Sequence, residues 1–144
     1  MKALIQRVSY ASVRVDQAII GSIDKGVLVF LGIEKKDNQA VSKRLLHKVL
    51  NYRIFSDTSG HMNHNVIEVA GELLVISQFT LAASTTKGLR PSFSSAMQPA
   101  EAGRLYDHFV EQAKQRCKVS SGIFGAHMQI ESCNDGPVTF LLSA

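Results

Sequence analysis

The chain has 144 residues and a mass of 15.8 kDa, enough for one domain with a real core. At 45% hydrophobic and 19% charged residues it reads as globular, which excludes a disordered tail or a low-complexity linker. A formal charge of +4 and a pI of about 9.2 lean toward anionic partners, a bias that an ordinary mildly basic enzyme shares.

The opening stretch alternates with period two and predicts strands at Ala3–Val8 and Ser12–Val15. Arg7 interrupts it, so the unbroken apolar centre of a signal peptide is not expected. Ala18–Ile23 predicts the next strand, Lys25-Gly26 a turn, and "VLVFLGI" from Val27 to Ile33 a buried strand. Asp37 is expected to cap a helix in which Val41, Leu45, Leu46, Val49 and Leu50 recur at helical spacing. "YRIF", Tyr52–Phe55, reads as a strand and "SDTSG" as a turn. "ELLVISQFTL", Glu72–Leu81, reads as a long central strand. A polar loop, "ASTTKGLRPSFSS", leads to a second helix starting near Pro99. That helix keeps Ala102, Leu105, Tyr106, Phe109, Val110 and Ala113 on one face. Strands near Ala126–Ser132 and Val138–Leu142 finish the chain. The expected architecture is a single α/β domain, residues 1–144, with layered mixed sheets and two helices packed on one side. No apolar run approaches the roughly 20 residues of a membrane span, so no membrane partner is expected. Cys117 and Cys133 lack metal or redox spacing and read as reduced thiols of a cytoplasmic protein.

The familiar catalytic signatures are missing: there is no G-x-S-x-G, no P-loop and no G-x-G-x-x-G after a strand. His61 and His64 are close in sequence but have no Cys or carboxylate cluster beside them, so neither a metal nor another cofactor is expected. His47 and His108 fall on helices, and His127 can flank a site without defining one. Polar residues at strand ends and in glycine-rich turns remain. "SQFT", Ser77 to Thr80, ends an apolar strand where backbone N–H groups and hydroxyls can face a ligand or simply satisfy one another. "GIFGA", Gly122 to Ala126, is either a bend with a core phenylalanine or an aromatic platform for a base. "KGLRP", Lys87 to Pro91, offers two cations to phosphate or to solvent. In "NDGPVT", Asn134 to Thr139, a turn signal runs into a proline with no N–H to give a sheet.

"SQFTL", "KGLRPSF", "GIFGAHM" and "NDGPVTFLL", in this order, closely resemble D-aminoacyl-tRNA deacylase of the bacterial and eukaryotic type, over essentially the whole chain. The resemblance implies a barrel-like arrangement of the sheets and a homodimer. It implies hydrolysis of the ester joining a D-amino acid, or glycine, to the terminal ribose of tRNA, while L-aminoacyl-tRNA is spared. Its partners are then D-aminoacyl-tRNA and glycyl-tRNA, not DNA. By the same resemblance, Ser77, Gln78, Phe79 and Thr80 form the catalytic centre, and Phe124 and Met128 help hold the terminal adenosine. Gly136 and Pro137 would carry a cis peptide, the bond type where cis costs only about 0.5–1 kcal/mol, and enter the other subunit's site. Arg7 would support that turn. A backbone-only turn can reject an L side chain sterically, and a Cβ at Gly136 is expected to take space the substrate needs. No base lies beside Thr80 in sequence, so a nucleophilic threonine is not expected. Two other classes fit the same residues: a tRNA-binding module without catalysis, and a related deacylase with a trans Gly-Pro and altered chiral preference. Deacylation of D- against L-tyrosyl-tRNA separates all three.

Overall fold

The structure is a computed structural model describing all 144 residues. Its frame is a six-stranded mixed sheet of β1 (Lys2–Val15), β2 (Ala18–Ile23), β3 (Gly26–Gly32), β6 (Glu72–Ser77), β7 (Val119–Ser121) and β8 (Gln129–Ser143). A separate two-stranded ribbon joins β4 (Phe55–Ser56) to β5 (Met62–His64). Two helices, α1 (Gln39–Asn51) and α2 (Pro99–Lys114), pack against each other and the sheet.

Long β1 organises the sheet. One of its edges pairs antiparallel with β3 over Lys2–Val8 and with β2 over Ala11–Val15; the other carries β8. Beyond β3 the chain turns parallel, through β6 to β7. The sheet then curls until β7 meets β2, where Ser120 Oγ donates to the Ser22 carbonyl at 2.8 Å. This near-closure makes the barrel-like form expected from the family resemblance.

The curl explains the unbroken apolar runs in β3 and β6, because both faces of these strands are buried. Val27, Val29, Leu31, Leu73 and Val75 join the large core under the helices. Leu28, Leu74 and Ile76 point the other way, into a smaller core with Val8, Val13 and Ile23. α1 supplies Leu45, Leu46, Val49 and Leu50 to the large core, and α2 supplies Leu105, Tyr106, Phe109 and Val110. Both helices therefore lie on one side of the sheet, as expected.

Several boundaries differ from the sequence reading. Ala3–Val8 and Ser12–Val15 are one continuous strand, since β8 spans the gap between them. Asn38, not Asp37, caps α1, its Oδ1 accepting from Val41 N at 3.1 Å. Asp37 instead takes the N-terminal ammonium at 2.6 Å, a long-range partner invisible to local pattern. Tyr52–Phe55 is not a strand; only Phe55 and Ser56 pair. The run from Glu72 stops extending at Ser77, and Phe79–Ala82 coils into a 3₁₀ turn. The two closing strands are a single β8 that carries straight through "NDGPVT". α2 begins at Pro99 in the first-turn position where a missing N–H costs nothing.

Candidate functional site

β3, β6 and β7 run parallel, so their carboxyl ends emerge together, the usual place for a ligand crevice in such sheets. A cavity of about 580 Å³ opens there. Leu31, Ile33 and Ile76 form its apolar floor, and Ser77, Gln78 and Phe79 follow directly from the end of β6. The opposite wall is the turn after β7, with Phe124 and Met128. The segment leading into α2, from Ala96 to Pro99, closes a third side. The sequence reading missed that side, along with Phe93. Backbone hydrogen bonds from Lys35 N to Ser95 O (2.9 Å) and from Met97 N to Ile33 O (3.2 Å) bring it in across some sixty residues of chain. His127 also lines the cavity, at an exposed position.

The 3₁₀ turn shapes the chemistry. Leu81 N–H bonds back to Gln78 O and Ala83 N–H to Thr80 O, while the N–H groups of Phe79 and Thr80, at the start of the turn, have no acceptor within it. The leading N–H groups of this turn thus follow the end of β6 beside the cavity. Gln78 Nε2 donates to Thr80 Oγ1 at 2.6 Å, so the threonine hydroxyl faces an amide rather than a base. Phe79 is 60% exposed and leans on Phe93, the ring centroids 5.0 Å apart.

The Phe124 turn is held from behind. Buried Tyr106 donates to Val75 O at 2.8 Å and reaches Gly122 O at 3.2 Å, tying β6 to the start of the turn. Burial pushes its phenol up to about 12. Its ring lies 5.9 Å from that of Phe124. A Cβ at Gly122 would press on Met128 Sδ, so a larger residue there would displace the methionine from the cavity wall.

Arg7, Gly136 and Pro137 are not part of this cavity. In the β1–β8 ladder Gln6 faces Thr139 and Val8 faces Asn134, so Asp135 to Val138 bulge out opposite the single Arg7. The Gly136–Pro137 peptide is cis, and both residues are exposed. Arg7, its side chain 13% exposed, staples the bulge: Nε donates to Asp135 O at 2.9 Å and Nη1 to Ile54 O at 2.7 Å. Asn134 Oδ1 closes the turn by accepting from Val138 N at 2.9 Å. Gly136 has φ +136°, and a Cβ there would sit 2.7 Å from Val138 Cγ2 and 3.0 Å from Arg7 Nη2. Within the chain, then, the positive φ and the close neighbours already favour glycine, beside the substrate space expected of it.

No three His, Cys, Asp or Glu side chains converge as metal ligands. Cys117 is half-buried, and burial raises its thiol to about 11, which keeps it protonated and inert at neutral pH. No helix is long and apolar enough to cross a membrane.

Fold and cavity together define an α/β protein with a largely apolar, aromatic-lined cavity at the carboxyl ends of its parallel strands. Residues 4–143 match the family described as D-Tyr-tRNA(Tyr) deacylase, and the chain belongs to that family of hydrolases. A D-aminoacyl-tRNA deacylase from Shewanella frigidimarina (strain NCIMB 400) is 59% identical over 143 residues, 99% of each chain. A solved structure named c-Myc DNA Unwinding Element Binding Protein superposes with a TM-score of 0.95 at 40% identity, covering 100% of this chain and 99% of that one. A probable eukaryotic D-amino acid tRNA deacylase superposes with a TM-score of 0.88 at 14% identity over 99% and 98% of the two chains, a likeness of fold.

Proposed function

We propose that the protein hydrolyses D-aminoacyl-tRNA and glycyl-tRNA as a homodimer, each cavity being completed by the partner's Gly-Pro turn. The observation that carries this reading is the separation of two built features. Gly136 and Pro137 are braced by Arg7 yet project to solvent, and the cavity beside Ser77–Thr80 is lined without them. A braced, exposed turn that stands apart from its own chain's cavity is suited to enter a partner's. β8 supports dimerisation too, being a 15-residue strand that pairs only with β1.

In this reading the terminal adenosine lies along Phe124 and Met128, and the ester carbonyl meets the Phe79 and Thr80 N–H groups. Water attacks that carbonyl, and the two N–H groups bind the oxyanion that develops. The carbon–oxygen bond to the ribose then breaks, the ribose oxygen takes a proton, and free D-amino acid and tRNA leave. The vicinal ribose hydroxyl assists the water, so no protein nucleophile is needed. Backbone at Gly136 and Pro137 leaves no room for an L side chain, lets a D side chain point away, and has no means of excluding glycine. The protein acts in the cytoplasm, without metal or cofactor.

The test is deacylation of D-tyrosyl-, L-tyrosyl- and glycyl-tRNA by the purified protein. Cleavage of the first and third, with the second surviving, is expected. Efficient loss of L-tyrosyl-tRNA would defeat the chiral filter, and binding with no cleavage at all would leave only a tRNA-binding module.

A further inference from the structure

The exposed positions of α1 are Gln39, Ala40, Lys43, Arg44, His47, Lys48 and Asn51, a strip with no carboxylate. Exposed Lys35 and Lys36 precede it. The nearby carboxylates are occupied elsewhere. Asp37 and Glu34 hold the N-terminal ammonium at 2.6 and 3.2 Å, and Glu34 also pairs with Lys2 at 3.2 Å. Burial works against ionisation of Glu34, but Lys2 and the N-terminus hold its carboxyl below its ordinary value. The exposed face of α2 differs: Glu101, Asp107 and Glu111 alternate with Arg104 and Lys114, and Lys114 pairs with Glu111 at 2.8 Å. The protein's ion-paired cations are its N-terminus, Lys2, Arg7, Lys114, Lys118 and, when protonated, His64. Lys35, Lys36, Lys43 and Arg44 belong to no pair.

We propose that this strip docks the phosphate backbone of the acceptor arm of the substrate tRNA, an inference that rests on the deacylase reading. Its position suits the task. Lys35 is hydrogen-bonded to Ser95, next to Ala96, Met97 and Gln98 in the cavity wall, so the strip starts at the rim where the terminal nucleotide enters. From there α1 runs 13 residues, about 20 Å at 1.5 Å per residue. Lys43 and Arg44 lie one turn before Lys48, giving successive cations along the axis. An A-form stem presents mainly shape and phosphate to a protein, and lysine and arginine contacts to it carry no sequence information. That suits an enzyme that must accept tRNAs of different sequence. A membrane surface is the poorer match, because the apolar face of α1 is buried in the core, leaving nothing to insert.

The test compares wild type with K35Q/K36Q/K43Q/R44Q, using K114Q on α2 as control. Lys48 is left alone, since its Nζ holds Ser143 O at 2.7 Å. Binding of uncharged tRNA is titrated against salt, a readout independent of catalysis. Deacylation is measured on D-tyrosyl-tRNA and on D-tyrosyl-adenosine, which has no stem. The quadruple variant should bind tRNA about tenfold or more weakly near 0.15 M salt, with a log–log salt slope shallower by about 2 to 3. Its KM for D-tyrosyl-tRNA should rise in proportion, with kcat and D-tyrosyl-adenosine cleavage unchanged. Wild-type affinity and slope in the variant would overturn the proposal, as would equal losses on both substrates. Duplex DNA binding through the strip, with KM for D-tyrosyl-tRNA unchanged, would assign it to another polyanion and equally overturn it. Wild-type protein that binds tRNA through the strip but cleaves neither substrate would sink the deacylase reading and leave the docking surface standing.

Discussion

Gly136→Ala tests whether the exposed turn is both a structural and a functional element. The new methyl would face Val138 Cγ2 at 2.7 Å, Arg7 Nη2 at 3.0 Å and Val138 N at 3.1 Å, at a φ of +136° that L side chains rarely adopt. Backbone of that kind costs about 1–3 kcal/mol for a residue with a Cβ. Displacing Arg7 also weakens its bonds to Asp135 O and Ile54 O, and a charged hydrogen bond contributes about 1.5–3 kcal/mol. Because relaxation recovers part of both, a net loss of about 2–4 kcal/mol is expected. For a chain of this size that lowers Tm by roughly 5–15 °C. The protein should still fold at 25 °C, as circular dichroism would report, yet lose D-tyrosyl-tRNA deacylation and gain none on L-tyrosyl-tRNA. Adding Val138→Ala removes the nearest contact and should restore part of the Tm without restoring activity. A folded Gly136→Ala protein with wild-type melting and wild-type deacylation would refute the reasoning, and recovery of activity in step with Tm would reduce the turn to a stability element.

Thr80→Ala should cost no more than about tenfold in kcat, because its hydroxyl is paired with Gln78 rather than a base; trapping an acyl-Thr80 species by mass spectrometry would contradict this. Tyr106→Phe removes the donor to Val75 O and Gly122 O and should cost about 1–2 kcal/mol in denaturant unfolding, Val75 O keeping the Gly122 N–H at 2.9 Å. The folded phenol titrates near 12 rather than 10 because burial disfavours the phenolate, so its contribution is complete below pH 10 and disappears as pH rises through 12. Wild type should therefore lose more stability across that window than Tyr106→Phe, and parallel pH curves would show that the hydroxyl is not held as described. Mixing a Gly136→Ala subunit with a Gln78→Ala subunit should regenerate active heterodimers, because each supplies the element the other lacks; no recovery despite measured subunit exchange would mean each site is built from one chain.

How much of this was legible in the sequence depends on how far each signal reaches along the chain. α2 was readable from Pro99 to Ala113 because its start and its buried face are both local. β3 and β6 were readable as strands because burial on two faces leaves an unbroken apolar run. Asp37 looked like a cap, and only the fold, which brings Met1 beside it, passes that role to Asn38. "NDGPVT" carries the residues of a chain reversal but sits in a bulge, because pairing with β1 on both sides outweighs local turn preference. The candidate site divides the same way. Ser77, Gln78, Phe79, Phe124 and Met128 adjoin strand ends that local pattern can find, whereas Phe93 and Gln98 reach the cavity through long-range backbone bonds.

Gly136 shows where such reading stops. From sequence its lack of a side chain pointed outward, to a substrate; in the fold the same lack points inward as well, to Val138 and Arg7. The two demands are compatible and are made on different atoms. The missing Cβ lets Arg7 and Val138 close under the turn, and that closure holds the exposed backbone of Gly136 and Pro137 in one shape. A steric filter made of backbone has to be rigid, since a loop that yields by an ångström admits the side chain it should reject. Arg7 and Asn134 supply that rigidity through bonds to Asp135 O, Ile54 O and Val138 N, without themselves lining the cavity. If the turn works in a partner's site, chiral selectivity should therefore respond to Arg7, a residue that touches no substrate in its own subunit.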